Sequence, residues 1–177
     1  MKIQSMKDLF LEQIRDLYSG ETQIVKALPK MMEAASNQEL REGFAEHLEQ
    51  TQTHVARLED IFTRLEEKPG GVKCVGMEGV LKEGEEMIDS TETGSVRDAG
   101  LIAAAQRVEH YEMAGYGSAR EFARQLGDMS AVQLLEETLE EEKETDERLT
   151  EIAMSMVNDE ASAGGKRTST GRAGFLG

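Results

Sequence analysis

Two glutamates stand where the helices of this chain should be apolar. Glu21 lies in LYSGETQIVKAL and Glu112 in EHYEMAGYGSA, each on the same stripe as the large apolar residues of its segment. An ionised carboxylate on a buried stripe is costly unless something neutralises it. Further candidates follow the pattern. Glu109 precedes Glu112 by one turn, and Glu142 and Asp146 sit one turn apart on a later stripe. His54, on the shoulder of its own stripe, is the best-placed nitrogen donor. His47 shares that shoulder about five residues lower and ranks behind it. Five carboxylates in one layer repel one another, and two divalent or trivalent cations would turn that repulsion into coordination. Carboxylates joined by imidazole suit iron or manganese, and such a metal pair can act on peroxide or oxygen. The expected ligand set is therefore Glu21, His54, Glu109, Glu112, Glu142 and Asp146.

These residues need helices to position them. A first helix is predicted after Ser5, with Asp8 in the capping-box position, and Phe10, Ile14, Leu17, Glu21, Ile24 and Leu28 on one face. Asn37 is a good N-cap for a second helix carrying Leu40, Phe44, Leu48, Thr51, Val55, Leu58 and Phe62, which ends before Pro69-Gly70-Gly71. A weaker amphipathic segment spans roughly Met77 to Ile88, interrupted by Gly79 and Gly84. A third long helix is predicted after Ser95, with Asp98 in the capping-box position, and closes at Gly127. A fourth follows Ser130, with Gln133 completing its capping box.

The second half repeats the first at an offset of 91 positions. That step carries Glu21 to Glu112, Leu48-Glu49 to Leu139-Glu140, and Arg57-Leu58 to Arg148-Leu149. Two helical hairpins joined by a link this long do not make a simple up-down-up-down bundle. The link suits a crossover running the length of the bundle, as in ferritin-like folds. The expected fold is all-α: a four-helix bundle of two antiparallel hairpins, with a short extra helix on the crossover. Residues 1–158 form this bundle, and 159–177, rich in Gly, Ser and Thr, form a disordered tail. Within each hairpin, residues equidistant from the turn share a level. Glu21 then falls near Thr51 and His54, and Glu109 and Glu112 fall near Glu142 and Asp146. Glu49, roughly 140° from the centre of its stripe, should face solvent, so the second helix offers no inward carboxylate.

Composition narrows the remaining classes. The net charge of −15 disfavours nucleic acid and anionic membranes as partners. The single cysteine, Cys74, forbids an internal disulfide, reads as an inert thiol and fits the reducing cytoplasm. The N-terminal residues lack the apolar core of a signal peptide, and no apolar run could span a bilayer. No phosphate-cradling glycine loop, zinc-type cysteine cluster or Ser–His–Asp signature is present. Two other readings stand beside the metal centre. One is a metal-free structural or partner-binding protein, its carboxylates protonated or paired with Arg107, Lys143 or Arg148. The other is iron storage in a shell.

The segments DLYSGETQIVKALPKM, HLEQTQTHVARLEDIF, KCVGMEGVLKEGEEMI, RDAGLIAAAQRVEHYEMAGYGSAR and LLEETLEEEKETDERLTEIA resemble the YciF/YciE-type bacterial stress proteins of the ferritin-like superfamily. The resemblance covers about residues 3–158. It implies a ferritin-like helical fold, a homodimer, a role in stress responses and a dinuclear metal site of rubrerythrin type. Rubrerythrins place Glu-x-x-His on the second and fourth helices, and neither motif is intact here.

Overall fold

The computed structural model describes residues 2–167. Its long helices are α1 (Met6–Ala34), α2 (Gln38–Arg64), α4 (Ser95–Leu126) and α5 (Met129–Ile152), with the shorter α3 (Val75–Ser90) between the two pairs. After α5 the chain makes one π turn (Ala153–Val157) and continues as α6 (Asn158–Arg167). The tail expected from 159 thus begins as helix. Val157 is fully buried, and α6 packs against α4. Residues 168–177 of that tail lie outside the described residues.

Helix ends follow local chemistry, with two corrections. The Ser5 and Asn37 side chains accept from the backbone N–H of Asp8 and Leu40, as their spacing suggests. Gly127 closes α4 in the left-handed conformation (φ 76°), where a Cβ would be strained. Asp98 does not cap its own helix. α4 starts at Ser95 behind Gly94 with no side-chain cap. The buried Asp98 carboxylate instead accepts from the backbone N–H of Ser36 (2.8 Å) and Asn37 (2.9 Å), across the bundle in the α1–α2 turn. Asp128, not Ser130, caps α5 by accepting from Ala131 N–H.

Around the bundle the neighbours run α1–α2–α5–α4, and α3 lies outside, against α1 and α4. The start of α4 packs with the end of α1, so the chain must travel the bundle's full length between α2 and α4. α3 is that crossover, and Gly79 and Gly84 do not break it. Its start is fastened by a polar cluster. The Cys74 backbone N–H donates to Ser19 Oγ (2.9 Å), and Gln23 Nε2 donates to the Cys74 carbonyl (3.1 Å). The Cys74 thiol and the Tyr111 hydroxyl both donate to Asp16 Oδ2, at 3.2 and 3.1 Å. Burial raises the thiol above its ordinary value, consistent with an unreactive cysteine. A Cβ at Gly76 would meet the Tyr111 hydroxyl and ring at 2.6–2.9 Å, so a side chain there would displace Tyr111.

The core is in two parts. One holds Phe10, Ile14, Leu17, Leu58, Phe62 and Leu135, and the other Ile24, Leu28, Phe44, Leu101, Leu149 and Ile152. Each of the four long helices contributes to both, and each changes over at a polar residue. No described helix is long and apolar enough to cross a membrane. Because the buried Asp98 carboxylate accepts from two backbone N–H groups at once, Asp98→Ala is expected to cost about 2–3 kcal/mol in urea unfolding. A change below about 0.5 kcal/mol would show that water replaces the carboxylate.

Candidate metal centre

The changeover residues meet in the layer between the two apolar cores. They are Glu21 on α1; His47, Thr51 and His54 on α2; Glu109 and Glu112 on α4; and Glu142 on α5. All are buried, none more than 4% exposed. Helical periodicity alone aims them inward, since each keeps the 3.6-residue phase of its apolar neighbours.

Two groups offer ligand atoms within 4.8 Å of one another. One is Glu21, His54 and Glu142; the other is His47, Glu109, Glu112 and Glu142. Glu142 belongs to both. His54 Nδ1 lies 3.0 Å from Glu142 Oε1 and 3.3 Å from Glu21 Oε1. His47 Nε2 lies 3.4 Å from Glu109 Oε1. These atoms are close but not hydrogen-bonded. His54 Nδ1, both His47 nitrogens and at least one carboxylate oxygen of each of the four glutamates have no hydrogen-bond partner. Both oxygens of Glu112 and of Glu142 are in that condition.

The surroundings are better satisfied. His54 Nε2 lies 2.8 Å from Glu141 Oε2, and Arg57 holds the same carboxylate through Nη1 (2.5 Å) and Nη2 (2.9 Å). With its Nε2 proton on Glu141, the imidazole turns Nδ1 toward Glu21 and Glu142, where it carries a proton in the metal-free protein and would offer a lone pair to a metal that displaced that proton. A carboxylate orienting a ligand histidine in this way is a common feature of metal sites. Tyr116 OH donates to Glu21 Oε1, fixing one oxygen of that carboxylate and leaving the other unpartnered.

The electrostatics reflect crowding. Burial first, then the neighbouring carboxylates, hold Glu109 and Glu112 well above the usual carboxylate range. Burial also raises Glu21, against the pull of His54. Burial acts on Glu142 in the same sense, but the His54 side chain outweighs it and Glu142 stays low. Burial lowers His47, keeping it neutral. Burial alone would lower His54 too, yet Glu142 and Glu21 push it up to about 10.

Five of the six expected ligands come together as the sequence suggests: Glu21, His54, Glu109, Glu112 and Glu142. Asp146 does not join them. One turn beyond Glu142, its carboxylate faces Gln106 Nε2 (3.1 Å) and His110 Nε2 (3.4 Å) on the outer side of the α4–α5 seam. His47, ranked second, is in the cluster. The layer is deeper along the bundle axis than a single level, and glutamate side chains span the difference. Glu141, in an acidic run that reads as solvated, is instead the partner of His54. Glu49 is exposed, as expected. Lys143 and Arg148, weighed as counter-charges, pair with Glu140 and Glu46.

A family profile described as "Domain of unknown function (DUF892)" matches residues 5–162. Protein YciF of Escherichia coli (strain K12) is 46% identical over 162 residues, which is 91% of this chain and 98% of that protein. The crystal structure of the E. coli stress protein YciF matches with a TM-score of 0.84, covering 88% of this chain and 99% of that one. YcfI of Rhodopseudomonas palustris, described provisionally as a structural protein, is 43% identical with a TM-score of 0.81, over 84% of this chain and 95% of that one. A two-domain Anabaena variabilis protein with DJ-1/ThiJ/PfpI-like and ferritin-like domains matches at TM-score 0.55 and 17% identity, over 98% of this chain and 42% of that one. At that identity it speaks for the fold alone, which is ferritin-like.

The raised groups set a pH dependence for metal-free protein. His54 holds its proton up to about 10 when folded, against an ordinary 6.5, so between those values the folded state binds more protons than the unfolded. Glu109 and Glu112 act in the same sense above 4.5. Stability conferred by these protons is lost as pH rises. Calorimetry of chelator-treated protein is expected to show a thermal midpoint that falls between pH 6.5 and 10. A midpoint rising across that window would contradict the charge distribution described.

Proposed function

The chain belongs to the DUF892 family, and from the geometry above we propose that its buried layer holds two iron or manganese ions and acts on a small oxidant such as peroxide or oxygen. The observation that carries this is the set of unpartnered buried donors. Carboxylate oxygens and imidazole nitrogens stand within ligand distance of one another, without hydrogen bonds, in a layer closed by apolar residues at both ends. Unpaired buried polar atoms cost free energy, and a cation accounts for all of them together. Oxygen donors with two imidazoles match the preferences of iron and manganese.

Glu21 and His54 would hold one ion and His47, Glu109 and Glu112 the other, with Glu142 shared. A paired redox metal would supply electrons to, or withdraw them from, an oxygen species bound there. The protein's own part is positional. Arg57 fixes Glu141, Glu141 fixes the His54 ring, and Tyr116 keeps one oxygen of Glu21 in place. The flanking cores exclude bulk water, which strengthens each of these interactions.

A second reading, a metal-free structural protein, has its own support. His54, charged, can offset one of the two carboxylate charges of Glu21 and Glu142 without a metal, and YcfI carries a structural description. The cytoplasm, a stress-response setting and a homodimer without nucleic-acid or membrane partners remain part of the proposal. They rest on the lone cysteine, the charge of −15 and the family.

Elemental analysis of protein purified without chelator is expected to find about two metal ions per chain. Glu142→Ala should abolish binding of both with helicity unchanged, because it removes the shared donor. Glu141→Gln is expected to weaken metal affinity by about 10- to 100-fold while sparing the ligands themselves. Metal content near zero, with a thermal midpoint unmoved by chelator or by added iron, would favour the structural reading.

A further inference from the structure

Beside the cluster, in the half of the bundle covered by α3, lies a cavity of about 170 Å³. Its walls are mainly apolar: Ile24 and Leu28 from α1, Phe44 from α2, Val108 from α4, Ile152 from α5 and Leu81 from α3. Small residues leave the space open. Gly43 and Gly84 reach it from α2 and α3, and Ala104 and Ala105 from α4. A Cβ on Gly43 or Gly84 would find only ordinary contact, at 3.8 and 3.6 Å, so backbone crowding does not require glycine at either position. At one end the lining changes character. His47 and Glu109 face the cavity as well as the cluster, and His47 has no partner on either nitrogen, nor Glu109 on Oε2. The ion pair of Arg148 with Glu46 and that of Lys30 with Glu85 lie at its rim, their charges already matched.

We propose that this cavity is the ligand chamber of the cluster and takes a neutral, mostly apolar molecule with one oxygen function, seated so that the oxygen points at His47 and Glu109. Size, lining and polarity agree on that class. An apolar cavity of about 150 Å³ stays dry and accepts benzene, so this one suits about six to eight carbon atoms. Apolar walls favour the hydrocarbon body by removing it from water. The unpartnered imidazole and carboxylate at the inner end supply the polar complement that orients a ligand in a mostly apolar pocket. An anionic head is disfavoured because four glutamates already crowd the layer and the rim cations are paired, and a cationic head because it would have to shed its water along apolar walls. The seat for the oxygen function rests on the cluster being the reactive centre, as proposed above; the cavity itself does not depend on metal.

The test uses 1-heptanol and metal-free full-length protein with labelled methyl groups. Titration is expected to shift the Ile24, Leu28 and Ile152 methyl signals saturably, with one alcohol per chain. Cross-relaxation should place the hydroxyl-bearing carbon nearer His47 than the terminal methyl. Ala104→Leu and Ala105→Leu, each narrowing the chamber and neither a proposed ligand, should weaken binding at least about tenfold, with metal content like that of the parent. Two substitutions guard against one that fails to fold. Unsaturable or absent shifts, a reversed ligand orientation, or binding by both folded variants as tight as the parent's would overturn the proposal. Loss of metal binding alone, with alcohol binding intact, would refute the metal centre and leave the chamber standing.

Discussion

Everything in this molecule accommodates four carboxylates held in one dry layer. Coulomb repulsion between charges this close is weak in water and strong where water is excluded. The apolar clusters above and below exclude it. The protein relieves the strain with what is at hand: a histidine between Glu21 and Glu142, a tyrosine hydroxyl on Glu21, and protons retained on Glu109 and Glu112. These measures leave many oxygens without partners. A folded protein that keeps such a layer spends stability on it, and that expense is characteristic of sites built for something other than packing.

The arrangement departs from a symmetrical di-metal bundle in an instructive way. The two hairpins repeat one backbone plan, yet Thr51 and Glu142 occupy matching positions, one a hydroxyl and the other a carboxylate. Thr51 turns its hydroxyl back to the His47 carbonyl of its own helix (2.7 Å) and offers the layer no charge. Both nitrogen donors come from α2, two turns apart, instead of one from each hairpin. The layer is consequently rich in nitrogen on one wall and in oxygen on the other three.

How much of this was legible in the chain depends on the kind of signal. Glu21, Glu109, Glu112 and Glu142 were visible because a charge in phase with leucines and isoleucines breaks a one-dimensional pattern. The crossover was visible because a long link between hairpins has few geometric solutions. Levels along the axis were not. Equidistance from a turn ignores side-chain length, so it set His47 too low and made Asp146, one turn past Glu142, look equivalent to it. A rotation of about 40° per four residues was enough to turn Asp146 onto another seam. Glu141 was hidden among similar neighbours, since only the position of α2 distinguishes it. Asp98 was misread because a capping box considers one helix at a time, whereas its partners lie 61 and 62 residues away.

The crossover helix has a mechanical character of its own. Ser19, Asp16, Gln23 and Tyr111 fasten its first turn, but beyond Met77 only Gly84 is buried. Val80, Leu81 and Ile88 hold the rest of the helix on the core while only partly buried, and a segment with so little fully buried surface opens with less free energy than the whole fold. α3 is thus held at both ends, by the cluster around Cys74 where it begins and by Arg97 on the Thr91 carbonyl where it closes, with the thinner contact between them.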